Sequence, residues 1–331
     1  MSAPPPDSFE GPPPSRASSE GPRWAASRER GSALAITFLV SSLRLLGKRA
    51  PLQLLLAPIT LYYCAFATTA RRASFDYFSR IQRLAGASAP GPGWGTTYRH
   101  IHHFAEAILD RLRMRSAGFD DFHVEVHGRE NMEPYIKSRS GAFLVGAHLG
   151  NFDVLRVIAR DADIPVNVLM YTANAERIND ALEALDPGAK VRVIQIDPRS
   201  IRAGFEIRRC VERGEFVAVL GDRMRAGSRE PVCHARFLGG RAAFPQGPFR
   251  LAALLELPVV MTIAVKTGPR DYDIFLERLS DGGPLARSER AKAVTQQVER
   301  YASRLERYCL RYPMQWYNFY DFWSTGNDGH V

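Results

Sequence analysis

A histidine and an aspartate five positions apart are the residues of this sequence best suited to acid–base chemistry. His148 follows the uncharged run at residues 141–147, and Asp153 lies in the stretch after it. Five residues on one ideal helix place side chains about 140° apart, so these two could not meet if both were helical. We therefore expect His148 in a turn after a buried strand. Asp153 would then reach back to one imidazole nitrogen and leave the other nitrogen as a base.

The turn itself must have unusual backbone freedom. Gly146 and Gly150 flank His148 and allow a tight chain path. Amides of the turn, and of a helix beginning after it, would be donors where negative charge develops, and a nearby arginine could do the same. The alternative interpretation is that His148 caps this helix and Asp153 only complements its dipole.

The elements that position the turn belong to an α/β pattern. Beyond residue 95, short apolar runs alternate with helical stretches, which predicts a central, mostly parallel sheet flanked by helices. Helices are predicted at residues 97–115 and 288–311. Strands are predicted around Phe122, Val124 and Val126 and at residues 142–147, 166–170, 191–196, 216–220 and 259–265.

The N-terminal part differs in composition from the rest. Residues 1–22 hold seven prolines and predict a disordered tail. Residues 23–95 contain two uncharged runs, 31–43 and 51–70, bordered by basic residues, which favours helices attached to a membrane surface. A buried helical hairpin is the alternative. The catalytic domain is expected at residues 96–325, followed by a tail at 326–331.

Composition limits the class of protein. The chain has 331 residues, a net charge of +9, 45% hydrophobic and 24% charged residues. These values exclude a wholly disordered, collagen-like or multi-span membrane protein. The four cysteines are widely spaced and form no C-x-x-C pair, so we expect neither a disulfide framework nor a zinc ribbon, and a reducing, cytoplasmic setting.

Several blocks together resemble one family. The segment around His148 is similar to the His-x4-Asp signature of the bacterial lipid A (Kdo2-lipid) acyltransferases, within the larger lysophospholipid acyltransferase superfamily. The stretch ending in Arg199 and Ser200 resembles the second block, and Gly221, Asp222 and Arg223 resemble the third. Residues 244–262 are similar to the region of the fourth block, although Pro258 precedes the valines here. Residues 312–323 resemble the ending of a branch often associated with aryl polyene or related lipid clusters.

The resemblance implies an acyltransferase of glycerolipid acyltransferase-like fold. His148 would be the general base and Asp153 its orienting partner. The donor would be an acyl thioester on acyl carrier protein, or alternatively on coenzyme A, and the acceptor a hydroxyl or amine of a membrane lipid or glycolipid. The implied location is the cytoplasmic face of the inner membrane, attached peripherally or by a single N-terminal span. The candidate substrate-binding residues are Arg199, Asp222, Arg223, Gly150 and Asn151.

No cofactor, metal or nucleic acid is expected. The sequence has no G-x-S-x-G elbow and no cysteine beside a histidine at a strand-to-helix turn, so direct attack by the acceptor is favoured over an acyl-enzyme. Two rival classes use the same features: a thioesterase or phospholipase that employs water, and a non-catalytic lipid-binding protein.

Three further groups are given structural interpretations. His100, His102, His103 and Glu106 predict a solvated helix face, with a metal site as the alternative. Adjacent Cys233 and His234 cannot easily bind one zinc ion and are interpreted as structural. The aromatics between residues 316 and 323 are expected to pack against the sheet or line an acyl tunnel, with anchoring at a membrane interface as a third option.

Overall fold

A seven-stranded, mostly parallel sheet organises the chain. The computed structural model describes residues 49–170, 191–195, 202–224 and 230–323. The nine described strands are β1 (His123–His127), β2 (Ala142–Gly146), β3 (Val166–Met170), β4 (Val191–Gln195), β5 (Phe216–Leu220), β6 (Val232–Phe237), β7 (Gly240–Pro245), β8 (Val259–Lys266) and β9 (Asp271–Ser280).

The order of the strands places β2 at the centre of the sheet. The sheet runs β1-β9-β8-β2-β5-β3-β4, and only the pair β8–β9 is antiparallel. Strands β6 and β7 form a separate antiparallel hairpin. The predicted α/β fold with a mostly parallel sheet is therefore confirmed.

Helices cover both faces of this sheet, as a parallel sheet requires. Alternate residues of β2 enter opposite cores, with Phe143 and Val145 on one face and Ala142 and Leu144 on the other. The described helices are α1 (Arg49–Phe66), α2 (Thr68–Ala85), α3 (Trp94–Ala117), α4 (Glu133–Ser138), α5 (Arg156–Ala162), α6 (Arg202–Glu212), α7 (Gly247–Leu254) and α8 (Arg287–Arg311).

The register between β2 and β5 determines what can meet at the edge of the sheet. The last residue of β2, Gly146, lies opposite Leu220, the last residue of β5. Because the strands are parallel, the turns that follow them leave the sheet side by side. His148 and Asp222 each lie two residues beyond these strand ends.

The uncharged run at residues 51–70 is divided between two helices. Helix α1 ends at Phe66 and α2 begins at Thr68. Tyr77, Phe78 and Ile81 of α2 are buried in the core on one face of the sheet. Within the described part of the chain, no helix combines the length and apolarity needed to cross a bilayer. The proline-rich tail, the first uncharged run and the C-terminal tail at 326–331 lie outside the described residues.

Candidate active site

His148 lies in the turn after β2, as predicted. The turn leads into a 3-10 turn at Phe152–Leu155 and then into α5. Leu149 forms an isolated antiparallel bridge with Trp316, and Gly150 a parallel one with Ala264 of β8. The turn is thus held between β8 and the C-terminal segment, while the His148 side chain remains 28% exposed.

The carboxylate that contacts the imidazole is Asp222. Its Oδ1 lies 2.7 Å from His148 Nδ1, and its Oδ2 accepts the backbone N–H of His148 at 2.9 Å. The Asp222 side chain is completely buried. Two bonds to one residue fix both the position of the turn and the orientation of the ring.

Charge and burial determine how this pair is protonated. Burial and the charge of Arg223 lower the pKa of His148 below its ordinary 6.5, although Asp222 acts in the opposite direction. Burial alone would raise the pKa of Asp222, but the charge and hydrogen bonds of His148, together with Arg223, bring it down to about 2. At neutral pH the carboxylate is therefore ionised and the imidazole neutral. Nδ1–H donates to Asp222, and Nε2 carries the lone pair of a base.

Asp153 does not make the predicted contact with His148. Its Oδ1 accepts hydrogen bonds from Arg115 Nε at 3.0 Å and Arg115 Nη2 at 2.5 Å, and its Oδ2 pairs with Arg111. The two arginines are four residues apart on α3, so they share one face of that helix. This attraction holds the buried Asp153 carboxylate at α3, and the expectation that it orients the imidazole is corrected.

The expectation that amides of the turn would stabilise negative charge is also corrected for the amides whose partners are known. His148 N–H donates to Asp222, Gly150 N–H to Gln315 O at 2.8 Å, and Asn151 N–H to Ala264 O at 2.8 Å. Because these three N–H groups already donate to acceptors within the protein, they are not available to a substrate oxyanion.

Gly150 and Asn151 shape the turn. Gly150 has a φ of +70°, and a Cβ added there would lie 1.8 Å from Ala264 O. The buried Asn151 side chain accepts the Asp153 N–H at 3.2 Å and caps the 3-10 turn. These contacts within the protein explain why a glycine lies at position 150 and an asparagine at position 151. A role of either residue in substrate binding stays a prediction.

Arg223 lies at the same edge as His148, as its position after β5 predicts. Its guanidinium donates to Tyr317 O and lies 5.5 Å from the centre of the Tyr320 ring. Its charge is also the second largest cause of the lowered His148 pKa. Arg223 is therefore a cation available to stabilise negative charge beside the imidazole. Arg199 and Ser200 lie outside the described residues.

The predicted histidine face on α3 is only partly solvated. His100 is fully buried: its Nε2 lies 2.9 Å from Trp316 O and its Nδ1 3.1 Å from Ser74 Oγ. A carbonyl can only accept, so Nε2–H donates and Nδ1 accepts from the serine. Burial lowers the pKa of His100 to about 4, which keeps it neutral. His100 is thus part of the core, which corrects the solvated-face prediction for this residue.

One group of side chains among the described residues has metal-ligating types at short range. Glu125 and His127 of β1 and Asp273 of β9 lie together near the edge of the sheet. His127 Nδ1 is 3.7 Å from Glu125 and Nε2 is 3.6 Å from Asp273, so the two carboxylates face different ring nitrogens. The Glu125 side chain is 74% exposed, and we interpret the group as polar contacts at the surface of the sheet.

The C-terminal aromatics pack in the core, one of the outcomes expected from sequence. Trp316, Tyr317, Phe322 and Trp323 are all buried. Trp316 also donates its indole N–H to Asp222 Oδ2 at 3.0 Å. The sequence indicated packing for this segment, but nothing in it indicated the bond to Asp222.

Comparison of the sequence with protein families and curated proteins identified no relative. No protein-family model matches the chain, and no curated protein matches it. The functional argument therefore depends on the residues at the carboxyl edge of β2 and β5.

Proposed function

We propose that the protein is an acyltransferase that moves a fatty acyl group from an acyl thioester to a hydroxyl or amine of a membrane lipid or glycolipid. The observation that carries the proposal is the His148–Asp222 pair: a partly exposed imidazole whose Nδ1 is held by a buried, ionised carboxylate. The resemblance to the lipid A acyltransferases supports the choice of acyl transfer among the reactions that such a base can serve.

The proposed reaction is a direct transfer. His148 Nε2 removes the proton from the acceptor hydroxyl as its oxygen attacks the thioester carbonyl carbon. The tetrahedral intermediate then collapses with cleavage of the C–S bond, and the imidazolium returns the proton to the leaving thiolate. A positioned base of this kind contributes roughly 10²–10⁴-fold to the rate.

Asp222 and Arg223 have separate roles in this scheme. Asp222 keeps the proton on Nδ1 and stabilises the imidazolium that forms, without accepting the proton itself. Arg223 would stabilise the negative charge that develops on the carbonyl oxygen. Asp153 would act indirectly, by joining the turn to α3 through Arg111 and Arg115.

The surface of α1 supports attachment to a membrane. Apolar side chains on α1 are 47–69% exposed, and Trp94 at the start of α3 is 58% exposed. Arg71 lies 4.5 Å over the Trp94 ring and donates to Cys64 O and Ala65 O at the end of α1. Such a mixture of aromatic, aliphatic and basic groups suits the headgroup region of the inner membrane. The exposed apolar side chains of α1 are Ile59, Leu61, Tyr62, Tyr63 and Phe66.

The hairpin β6–β7 supports an acidic donor carrier. Arg236 and Arg241 are exposed and lie directly opposite each other across the hairpin. Like charges in such a pair repel each other, so an anionic surface that lies over both would be favoured. We propose acyl carrier protein as the donor carrier, with coenzyme A as the alternative.

The test is a product analysis. Purified protein is incubated with acyl carrier protein thioesters and a lipid extract of the host, and lipids are examined by mass spectrometry. We expect a lipid that gains one acyl mass with wild-type protein and not with His148→Ala. Release of free fatty acid regardless of acceptor would instead assign a hydrolase. If no thioester is turned over, both the acyltransferase and the hydrolase assignments are contradicted.

A further inference from the structure

Trp316 is the residue that completes the hydrogen bonding of Asp222. Asp222 Oδ2 accepts the Trp316 indole N–H at 3.0 Å and the His148 backbone N–H at 2.9 Å, while Oδ1 faces His148 Nδ1 at 2.7 Å. Of these three donors, the indole is the only one that does not belong to His148. It therefore attaches the carboxylate to a third part of the fold.

The indole is itself held from several directions. Trp316 is fully buried, and the rings of Tyr77, Phe237 and Phe322 lie 5.1–5.2 Å from it. Its carbonyl accepts the Nε2–H of His100 at 2.9 Å. A side chain packed in this way has few alternative rotamers, so its N–H is a fixed donor.

The backbone on both sides of Trp316 holds the turn that carries His148. Gln315 O accepts the Gly150 N–H at 2.8 Å, and Tyr317 N–H donates to His148 O at 2.8 Å. The segment 315–317 thus holds both members of the pair, the turn through its backbone and Asp222 through the indole.

We propose that Trp316 is a positioning residue, whose indole N–H fixes the Asp222 carboxylate in the orientation that keeps the proton on His148 Nδ1. The structural part of this inference stands on the contacts alone, and its catalytic consequence rests on the proposed function. Without the indole N–H, the carboxylate loses one of its three donors, and the two that remain both belong to His148.

Removal of the indole N–H should move the titration of His148 in a defined direction. Asp222, Arg223 and Arg111 act on the charge of His148, and Tyr301, Tyr320 and Cys309 interact electrostatically with Asp222. The indole N–H draws carboxylate charge toward itself. Once it is absent, more of that charge faces the imidazole, and the pKa of His148 rises.

The test replaces Trp316 with 3-benzothienylalanine, in which sulfur takes the place of the N–H and the ring shape is kept. Trp316→Phe serves as a second variant. The imidazoles are followed by nitrogen NMR as pH is varied, without substrate, and His148 is assigned by the signal missing in His148→Gln. We expect an upward shift of the His148 titration. In acyl transfer we expect kcat to fall roughly 10-fold, as for the loss of one hydrogen bond to a charged group, with KM nearly unchanged.

Trp323 supplies the matched control. It belongs to the same aromatic cluster, 6.1 Å from the Trp316 ring, and its indole donates to Phe237 O at 3.2 Å. The same replacement at Trp323 should leave the titration of His148 unchanged. An unshifted titration in the position-316 variants, or an equal shift from position 323, would overturn the inference. A shifted titration in a protein that transfers no acyl group would retain the positioning role and reject the proposed function.

Discussion

At the scale of single residues, the two buried carboxylates near His148 have different partners. Asp222 is buried with its two oxygens bonded to donors of His148 and Trp316, and Asp153 is buried against two arginines of α3. Only the first is placed to influence the tautomer of the imidazole. The second balances charge and ties the turn to the helix.

This division predicts different defects in two aspartate variants. Asp222→Asn should retain the fold and lower kcat by up to about 10⁴-fold, because an amide can stabilise the wrong tautomer of His148. Asp153→Asn should lower the free energy of unfolding by about 3 kcal/mol, since it leaves Arg115 without its charge partner in a buried site. Steady-state kinetics and urea unfolding measure the two effects. If folded Asp153→Asn protein lost more kcat than Asp222→Asn, the roles assigned to the two aspartates would be reversed.

The lowered pKa of His148 predicts the pH dependence of activity. Imidazolium cannot accept a proton, so kcat/KM should fall as pH decreases through the pKa of the free enzyme. Because burial and Arg223 place that pKa below 6.5, activity should persist at pH values where an ordinary histidine is mostly charged. A pH series of kcat/KM checks this, and an acidic limb centred above 6.5 would contradict it.

At the scale of elements, strands that are buried on both faces were the easiest to predict. Strands β2 and β5 are short uncharged runs and were predicted within one residue of their observed ends. The sequence analysis does not predict strand β9, although Tyr272, Ile274 and Leu276 alternate with polar residues, the pattern of a half-exposed strand. It does not predict the β6–β7 hairpin either, because Leu238 occupies the turn position at which Asn, Asp or Gly normally precedes the glycine.

The contact between His148 and Asp222 could not be predicted from spacing. The two residues are 74 positions apart, and they meet because β2 and β5 are neighbours in register. Sequence alone indicated that both follow buried strands at one edge of a parallel sheet. It contains no information on which strand lies beside β2, so spacing alone favours the nearer Asp153.

The path of the turn depends on one glycine, which gives a stability prediction. Gly150→Ala should destabilise the protein by more than about 1 kcal/mol and reduce activity, because its φ is +70° and the added Cβ would meet Ala264 O. Gly204→Ala is the control: it lies in α6 with nothing within 4 Å of the added Cβ, so it should stabilise by about 0.5–1 kcal/mol. Thermal unfolding of both variants is the measurement. Equal stability of the two would show that the turn tolerates a side chain.

The exposed surface of α1 predicts that the protein binds membranes through this helix. Tyr62 and Phe66 are 65% and 69% exposed, with ring centres 4.7 Å apart. Changing both to Ser should weaken binding to phosphatidylglycerol vesicles at least about 10-fold, since each buried aromatic contributes about 1.5–3 kcal/mol. Phe205→Ser on α6 is the control, because Phe205 is 66% exposed on another element. Vesicle flotation compares the binding of the double variant with that of Phe205→Ser. Equal losses of vesicle binding in the two would indicate non-specific adhesion.

At the scale of the whole molecule, the net charge of +9 becomes informative only where the fold brings basic side chains together. Arg236 and Arg241 lie opposite each other on the β6–β7 hairpin. Phe237, next to Arg236, lies 5.2 Å from the Trp316 ring, and Trp316 bonds to Asp222. The hairpin therefore packs one face against the aromatic cluster beside Asp222 and exposes the two arginines on its other face.

This placement predicts that the hairpin recruits an acidic carrier protein. Changing Arg236 and Arg241 to Glu should raise the KM for acyl carrier protein thioesters roughly 10-fold at low salt, because repulsion replaces attraction during docking. The effect should shrink as salt increases, since surface charges are screened beyond about 8 Å at physiological ionic strength. Arg129→Glu is the control, because Arg129 is 64% exposed on the segment after β1. Kinetics with a short thioester that lacks the carrier complete the comparison: if its KM rises equally, the two arginines bind the acyl acceptor or stabilise the fold, and carrier docking lies elsewhere on the surface.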